Sequence, residues 1–374
     1  MAGDGTLSTD VSVDNVILVV MLNRRGVSYD VGRVLGINWR PSFDPKVVRG
    51  ELTVIRDDLH CNSVRICGRD LERLSVAGSI ALGLGLEVWL SPELWNKSQQ
   101  ATLAYLARAA KVAEALRRGA TGQVVLSVAS EATLFTRGII PGRTLARRLA
   151  FLFREFETGA QVAPLRGFLE AAVKTARSTF GGPLTYASLI FEDVNWSLFD
   201  LIGVDHYRDA RVKDRYVEML EPLFAHDKPV IVTEFGMRTY RNADTSGALG
   251  FGVTDPKSLV LHKLPIVGRL IRPHLKKGDH VRDEQHQASE IVETLTILDA
   301  AGVNGAFVCT FVEPLSVFSE QPHYDLDMSS LGLVKTLGRG TGTTYPGMPW
   351  EPKMSFRALA NFYADQQNTQ SVGA

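Results

Sequence analysis

The sequence predicts a single (β/α)8 TIM barrel with a long insertion after strand seven. Short apolar runs of the length of buried strands alternate along the chain with longer segments whose apolar residues recur at helical spacing. This alternation predicts parallel strands joined by right-handed crossovers. Eight such units fit a closed barrel better than an open sheet. The chain is also long enough, at 374 residues with 45% hydrophobic side chains, to bury a large core.

The predicted domain organisation is simple. Residues 1–33 form a weakly patterned N-terminal lead-in, with an extra strand expected at 16–22. Residues 34–374 form one barrel domain. Within it, residues 237–280 contain glycines, prolines and basic residues without a clear period, and we expect a lid-like insertion there.

The elements of the barrel follow in order. Its strands are predicted at 34–39, 63–67, 86–90, 124–128, 184–187, 201–204, 229–232 and 305–311. The first helix illustrates the start signals, because Asp44 is a favourable N-cap and Pro45 suits the first helical position. The sequence shows no internal repeat, and no glycine-rich phosphate-binding motif follows the first strand.

Composition narrows the classes of function. Lys plus Arg and Asp plus Glu both number 41, so the chain lacks the basic field that nucleic-acid binding favours. The three cysteines, Cys61, Cys67 and Cys309, lie in or beside apolar runs and are predicted to be buried free thiols. The chain starts with polar and acidic residues, and the apolar run at 16–22 is too short to span a bilayer. We therefore expect a cytoplasmic protein with no nucleic-acid or membrane partner.

Two glutamates end predicted strands. Glu234 follows strand seven in the stretch Val-Thr-Glu-Phe-Gly, and Glu131 follows strand four in Val-Ala-Ser-Glu-Ala. The carboxyl ends of barrel strands form the active-site face of this fold, so both acids are expected at one mouth. Other polar and aromatic side chains at these ends are expected to bind substrate: Trp39, Arg65, Trp89, Ser130, His206, Tyr207, Phe311 and Glu313.

Paired carboxyls, an arginine and aromatic rings are what cleavage of a glycosidic bond requires. One carboxyl protonates the leaving oxygen while the second attacks or stabilises the oxocarbenium-like transition state. Aromatic faces stack on sugar rings, and polar groups fix the hydroxyls. Glu93 and Glu313 are lesser rivals for these roles, and helix capping is an alternative role for Glu93.

Over roughly residues 34–315 the chain resembles glycoside hydrolase clan A, the retaining (β/α)8-barrel glycosidases. The resemblance implies that Glu131 is the acid/base and Glu234 the nucleophile. It also implies that Arg65, after strand two, belongs to the site and that the Tyr207 hydroxyl hydrogen-bonds the nucleophile. No cofactor and no metal follow from it.

The sequence departs from the clan pattern at two positions. Clan members usually have Asn immediately before the acid/base, where it binds the sugar 2-hydroxyl, whereas this chain has Ser130. A hydroxyl is shorter and cannot donate and accept in the manner of an amide. Predicted strand eight supplies Phe311 where many relatives use Trp. Both departures indicate an atypical sugar subsite.

We therefore predict a retaining glycoside hydrolase or transglycosidase that acts on a small-molecule carbohydrate or glycoside by double displacement. Two alternatives stay open at this point. One is an acid/base enzyme on the same barrel that acts on a non-sugar metabolite. The other is a catalytically silent, carbohydrate-binding protein with a glycosidase shape, for which Ser130 is the main argument.

Overall fold

The structure is a computed structural model that describes residues 21–119, 122–155, 159–245, 252–262, 264, 266, 268 and 270–373. Eight parallel strands close into a barrel. They are β1 (Arg24–Asp30), β2 (Ser63–Gly68), β3 (Glu87–Pro92), β4 (Val124–Ser130), β5 (Leu184–Leu189), β6 (Ile202–Asp205), β7 (Val230–Phe235) and β8 (Gly305–Val308). The pairing of β1 with β8 closes the ring, which confirms the predicted TIM barrel.

Helices surround the barrel. They are α1 (Pro45–Asp57), α2 (Leu71–Gly83), α3 (Gln99–Gly119), α4 (Ala132–Phe135), α5 (Leu145–Glu155), α6 (Val162–Arg177), α7 (Glu221–Phe224), α8 (Pro256–His262), α9 (Glu284–Ala300) and α10 (Met354–Gly373). Asp44 caps α1 as expected, since its side chain accepts a hydrogen bond from the Lys46 backbone N–H at 2.8 Å. The connection between β6 and β7 contains only a 3-10 turn, Lys213–Arg215, and the short α7.

The prediction of the first strand is wrong. The first stave of the barrel is Arg24–Asp30, which lies within the segment expected to be a lead-in. The apolar stretch at 34–39 instead forms a small antiparallel hairpin that turns at Gly36, whose φ is +74°. A residue with positive φ interrupts an extended strand, so this stretch could not have supplied a barrel stave. The extra strand expected at 16–22 lies almost entirely outside the described residues.

The barrel interior is packed at its amino end by large side chains. Trp89, Val125, Leu201, Ile231 and Phe307 form a separate buried cluster there. The backbone of β1 approaches this cluster closely, because a Cβ placed on Gly26 would lie 2.4 Å from the Phe307 ring. Glycine at position 26 therefore allows β1 to sit against the filled interior.

Irregularities at the carboxyl end re-aim the side chains that follow. The β4–β5 register shifts between Ser127 and Ser130, and the β6–β7 register shifts between Val204 and Asp205. Bulges of this kind bend a strand and turn its next side chain toward a new direction. Both predicted catalytic glutamates follow or face such a shift.

The insertion after β7 is fastened to the barrel by a small buried cluster of Met237, Tyr240, Ala243, Leu275, Leu326 and Met328. Two antiparallel bridges, Tyr240 with Arg282 and Thr254 with Leu275, hold its ends together. Across the described ranges, no helix combines the length and the apolarity that a membrane span requires.

Candidate active site

Glu234 is a buried carboxylate at the carboxyl end of the barrel that is held by two arginines and a tyrosine. It ends β7 with 8% of its surface exposed. Its Oε1 accepts hydrogen bonds from Arg65 and from Arg33, the latter at 2.6 Å. Its Oε2 accepts a hydrogen bond from the Tyr207 hydroxyl at 3.0 Å. The two carboxylate oxygens are thus fixed from opposite sides by two cations and one hydroxyl.

Glu93 forms the second half of this ion-pair network. Its Oε2 lies 3.1 Å from Arg33 Nε, and its Oε1 lies 3.6 Å from Arg65 Nη2. Ser91 also donates a hydrogen bond to Glu93 at 3.3 Å. The four charges are fully buried or nearly so, and each arginine bridges both glutamates. Glu93 therefore orients the two arginines that hold Glu234.

The network sets the charge of Glu234. Burial alone would raise the pKa of this carboxyl, but the Arg33 and Arg65 guanidiniums outweigh burial and lower the pKa to about 2. Glu234 is therefore an anion across the ordinary pH range. An ionised, oriented carboxylate at a barrel mouth has the properties of a nucleophile.

Glu131 is held in a different way. It follows β4 in the left-handed region, at φ 44° and ψ 51°, and its backbone N–H donates to the Ala187 carbonyl at 2.8 Å. The next two N–H groups are also bonded: that of Ala132 to the Tyr186 hydroxyl at 2.7 Å, and that of Thr133 to Glu192 at 3.1 Å. These contacts impose a backbone conformation that a non-glycine residue rarely adopts.

The Glu131 carboxyl itself has few partners. Within the described part of the chain, no group donates a hydrogen bond to it, and the residue remains partly exposed. Burial raises the pKa of Glu131 well above its usual range, and the negative charges of Asp205 and Glu234 raise it further. A protonated carboxyl that reaches the mouth of a barrel has the properties of a general acid.

A third carboxyl, Asp205, lies between the two glutamates. It is buried at the end of β6, where Thr233 donates to its Oδ1 at 2.6 Å and Ser130 donates to its Oδ2 at 3.3 Å. Burial and the charge of Glu234 raise the pKa of Asp205 to about 7, although Arg65 acts in the opposite direction. Asp205 therefore adds negative charge near Glu131 as the pH rises through neutrality.

Ser130 is committed to this interior network. Its hydroxyl donates to Asp205 and accepts a hydrogen bond from Arg65 Nη2 at 3.3 Å. The side chain has 9% of its surface exposed. The hydroxyl thus links Asp205 to the arginine that holds Glu234.

Aromatic side chains form one wall of the mouth. Trp95 stacks on Phe135, with ring centroids 4.3 Å apart and planes 10° apart, and meets Trp39 edge-on at 5.6 Å. The Arg33 guanidinium lies 5.8 Å from the centre of the Trp95 ring. All three rings are partly exposed. They form an apolar surface directly beside the arginine that contacts Glu234, where a sugar ring could stack.

Four residues predicted to bind substrate lie elsewhere. Trp89 belongs to the cluster at the amino end of the barrel, with Arg24 5.8 Å from its ring centre. Phe311 is fully buried against Trp350, at a centroid distance of 5.3 Å. Alternate residues of a strand face the same side, so Trp89 and Ser91 both project into the barrel but at different levels. Trp89 lies at the level away from the mouth, which explains why its predicted contact with substrate is wrong.

His206 and Glu313 also have structural contacts. His206 stacks on Tyr216 at 4.0 Å and its Nε2 contacts the Tyr216 carbonyl at 2.9 Å, while burial lowers its pKa to about 4. Glu313 accepts hydrogen bonds from the Leu331 N–H and the Ser316 hydroxyl, both at 2.8 Å. Neither side chain joins the group around Glu234.

The sequence analysis missed three members of the site. Arg33 follows the first stave, which the sequence pattern assigns to the lead-in. Asp205 directly precedes His206 and Tyr207, which were the residues predicted from the end of that strand. Glu93 was considered, but helix capping was favoured. The signal available for Asp205 was the same as for Glu234: an acid that ends a short apolar strand.

One group of potential metal ligands occurs here. The ligand atoms of Cys67, Glu93 and Glu234 lie within 4.8 Å of one another. Arg33 and Arg65 already neutralise both carboxylates, and burial raises the pKa of the Cys67 thiol to about 12, so the thiol is neutral. This donor set suits the arginines better than a cation.

Comparison with solved structures identifies the same fold. A GH113 β-1,4-mannanase superposes with a TM-score of 0.55 at 13% identity, covering 92% of this chain and 99% of the other. The GH113 β-mannanase AaManA from Alicyclobacillus acidocaldarius gives 0.54 at 14% identity, with 92% and 98% covered. A GH2 β-galacturonidase from Eisenbergiella tayi gives 0.55 at 13% identity, with 92% and 51% covered.

The comparison shows that this chain shares the (β/α)8 barrel fold of these structures. No protein-family model matches the sequence, and no curated protein matches it either. At these identities the similarity concerns the fold. The assignment of chemistry depends on the site itself.

Proposed function

We propose that this protein is a retaining glycosidase or transglycosidase that uses Glu234 as nucleophile and Glu131 as acid/base. The observation that carries the proposal is the opposite electrostatic setting of the two carboxyls. Arg33 and Arg65 lower the pKa of Glu234 to about 2, whereas burial and neighbouring acids raise that of Glu131. Double displacement requires one ionised and one protonated carboxyl at the same pH.

The first step forms a covalent intermediate. A Glu234 oxygen attacks the anomeric carbon, and the bond from that carbon to the leaving oxygen breaks. The proton of Glu131 moves to the leaving oxygen, which departs as a neutral hydroxyl group. Tyr207 and the two arginines keep the attacking carboxylate in place.

The second step reverses these roles. A water molecule or a sugar hydroxyl attacks the anomeric carbon and gives its proton to Glu131, which is now ionised. The ester bond to Glu234 breaks, and the carboxylate returns to its ion pairs. Retention of configuration follows from the two successive inversions.

The substrate class that fits is a carbohydrate or glycoside. The rings of Trp39, Trp95 and Phe135 offer stacking surface beside the nucleophile. Ser130 donates its hydroxyl proton to Asp205, so it does not donate to a sugar 2-hydroxyl in this arrangement. We expect weaker dependence on the 2-substituent than in relatives that have Asn at this position.

Chemical rescue tests the two roles separately. Glu234→Ala and Glu131→Ala are assayed on a panel of 2,4-dinitrophenyl glycosides that wild type cleaves, with and without sodium azide. For Glu131→Ala, azide should restore turnover and give a glycosyl azide of retained configuration. For Glu234→Ala, it should give the inverted glycosyl azide. NMR of the product distinguishes the two anomers.

The matched control is Glu313→Ala, which removes a glutamate after strand eight whose carboxyl accepts hydrogen bonds from Ser316 and Leu331. It should retain most of the wild-type turnover. Identical products from both rescued variants, or turnover that neither substitution reduces, would contradict the double displacement. A wild type that binds glycosides without cleaving any would identify a silent binding protein.

A further inference from the structure

A patch of exposed aliphatic side chains lies on the insertion after β7. Val260 is 60% exposed, Leu264 44%, Ile266 80% and Leu270 86%. Leu261, at 38%, is the fifth large exposed apolar side chain within eleven consecutive positions. Single apolar residues scattered over a protein surface are normal, but such a concentration is not. We call residues 256–278 the basic-apolar segment.

The charge of the basic-apolar segment has one sign. Between Asp255 and Asp279 the sequence contains six Lys or Arg residues and no Asp or Glu. Lys257, Lys276 and Lys277 are exposed in the structure. The whole chain is neutral, so this local excess of positive charge is a property of the segment.

The segment is fixed to the carboxyl-end side of the barrel. Leu275 is fully buried, its N–H donates to the His323 carbonyl at 2.8 Å, and the Lys276 N–H donates to the Val253 carbonyl at 2.8 Å. The first contact ties the segment to the loop after β8, and the second ties it to the rest of the insertion. The exposed aliphatic side chains therefore belong to the same end of the molecule as Glu234.

We propose that the basic-apolar segment docks this end of the barrel onto an anionic lipid bilayer surface. Aliphatic side chains interspersed with basic ones are the combination that binds the interface of anionic membranes. The lysines match the surface charge, and the aliphatic side chains enter the boundary between headgroups and acyl chains. A sugar would favour aromatic rings, and a nucleic acid would leave the aliphatic side chains in water.

This attachment is peripheral. It differs from the expectation of no membrane partner, which considered only whether the chain has a segment long enough to span a bilayer. It also places the barrel mouth near the lipid surface. The proposal does not depend on the chemistry of Glu131 and Glu234, because it concerns binding alone.

Vesicle flotation tests it with the full-length protein. Wild type is mixed with vesicles of phosphatidylcholine alone or of phosphatidylcholine and phosphatidylglycerol in a 3:1 ratio, at low and high salt. It should float with the anionic vesicles and dissociate as salt rises. Ile266→Ser/Leu270→Ser and Lys276→Gln/Lys277→Gln should each weaken binding by about tenfold or more.

Matched controls remove the same residue types elsewhere. Met354→Ser removes an apolar side chain that is 46% exposed on α10, and Lys46→Gln/Lys111→Gln removes two exposed lysines from α1 and α3. Both should bind anionic vesicles like wild type. Thermal unfolding and turnover of a soluble aryl glycoside confirm that the segment variants are folded.

Three results would overturn the proposal. Wild type could remain unbound with anionic vesicles, or the segment variants could bind as well as wild type. Light scattering could also show that wild type self-associates while Ile266→Ser/Leu270→Ser is monomeric and vesicle binding is absent. That last result would assign the patch to contacts between copies of the chain.

Discussion

The two sides of the barrel mouth hold the same residue type in opposite ways. On the β7 side, Glu234 receives hydrogen bonds from two arginines and a tyrosine. On the β4 side, Glu131 has a backbone fixed by three hydrogen bonds and a carboxyl that receives none from the described residues. The contacts on the β7 side keep the Glu234 carboxyl charged, whereas those on the β4 side fix the direction in which the Glu131 side chain leaves the backbone.

The difference shows how one fold can give two glutamates opposite electrostatic settings. A carboxylate surrounded by donors stays ionised, whereas a carboxyl surrounded by buried acids keeps its proton. The constraint on Glu131 acts on the main chain, so the side chain stays free to exchange a proton with substrate and water. Four substitutions test this contrast, taken in order of decreasing effect.

Arg65→Met should have the largest effect. It removes the cation that bonds Glu234 and approaches Glu93, so the pKa of Glu234 should rise and kcat/KM should fall by about 10³-fold. Initial rates across pH measure both changes, and the acidic limb should move to higher pH. The matched control is Arg24→Met, which removes an ion pair with Glu87 at the other end of the barrel. Similar losses in both variants would indicate a general effect on stability.

Tyr186→Phe should disturb the β4 side without changing charge. The substitution removes the hydroxyl that accepts from the Ala132 N–H and donates to Glu192 at 2.6 Å. We expect kcat to fall by about 10² because the general acid is misplaced. The acidic limb of the pH profile should stay where it is in wild type. A shift of that limb would show that the two sides are not separate.

Tyr207→Phe should have a moderate effect on the β7 side. Glu234 loses one hydrogen bond to a charged oxygen but keeps both arginines, so kcat/KM should fall by about tenfold. Steady-state rates on an aryl glycoside measure this loss. Tyr216→Phe is the matched control, since its hydroxyl donates to the His206 carbonyl outside the site. Equal losses in the two variants would remove the special role of Tyr207.

Asp205→Asn should change the pH profile more than the rate. The negative charge of Asp205 raises the pKa of Glu131, so its removal lowers that pKa. The proposed mechanism requires protonated Glu131, hence the alkaline limb should move to lower pH. Asp299→Asn, a substitution on α9, should leave the profile unchanged. An alkaline limb that stays in place would exclude Asp205 as the source of the shift.

Much of the barrel could be predicted because seven staves are short apolar runs between helices. The first stave, Arg-Arg-Gly-Val-Ser-Tyr-Asp, could not be predicted in this way. This stave carries charged and polar residues at both of its ends. Its third residue, Gly26, has to be glycine because the Phe307 ring lies close to it. The apolar run that follows was favoured instead, although Gly36 ends it after two residues. Ring closure determines which of these two segments is the first stave, and it depends on residues far apart in sequence.

The candidate site was predictable to the same extent. Glu131 and Glu234 end predicted strands, and Arg65 and Tyr207 lie where the resemblance implies. The positions of Trp89 and Phe311 depend on the level in the barrel and on the packing of α10, which a strand pattern does not contain. Arg33 follows the first stave directly, so the wrong assignment of that stave also left Arg33, one of the two cations, out of the predicted site.

The ion-pair network also has a consequence for biosynthesis. Arg33 and Arg65 lie 201 and 169 residues before Glu234, so both cations leave the ribosome long before the carboxylate that pairs with them. Until then Glu93 is the carboxylate of the network that can pair with both arginines. Burial of an unpaired cation is strongly unfavourable. We therefore expect the strand ends around Arg33 and Arg65 to stay exposed to water in a nascent chain that lacks β7. Once β7 has been synthesised, the ion pairs of Glu234 with the two arginines stabilise the closed ring. Completion of the chain is thereby coupled to the assembly of its site.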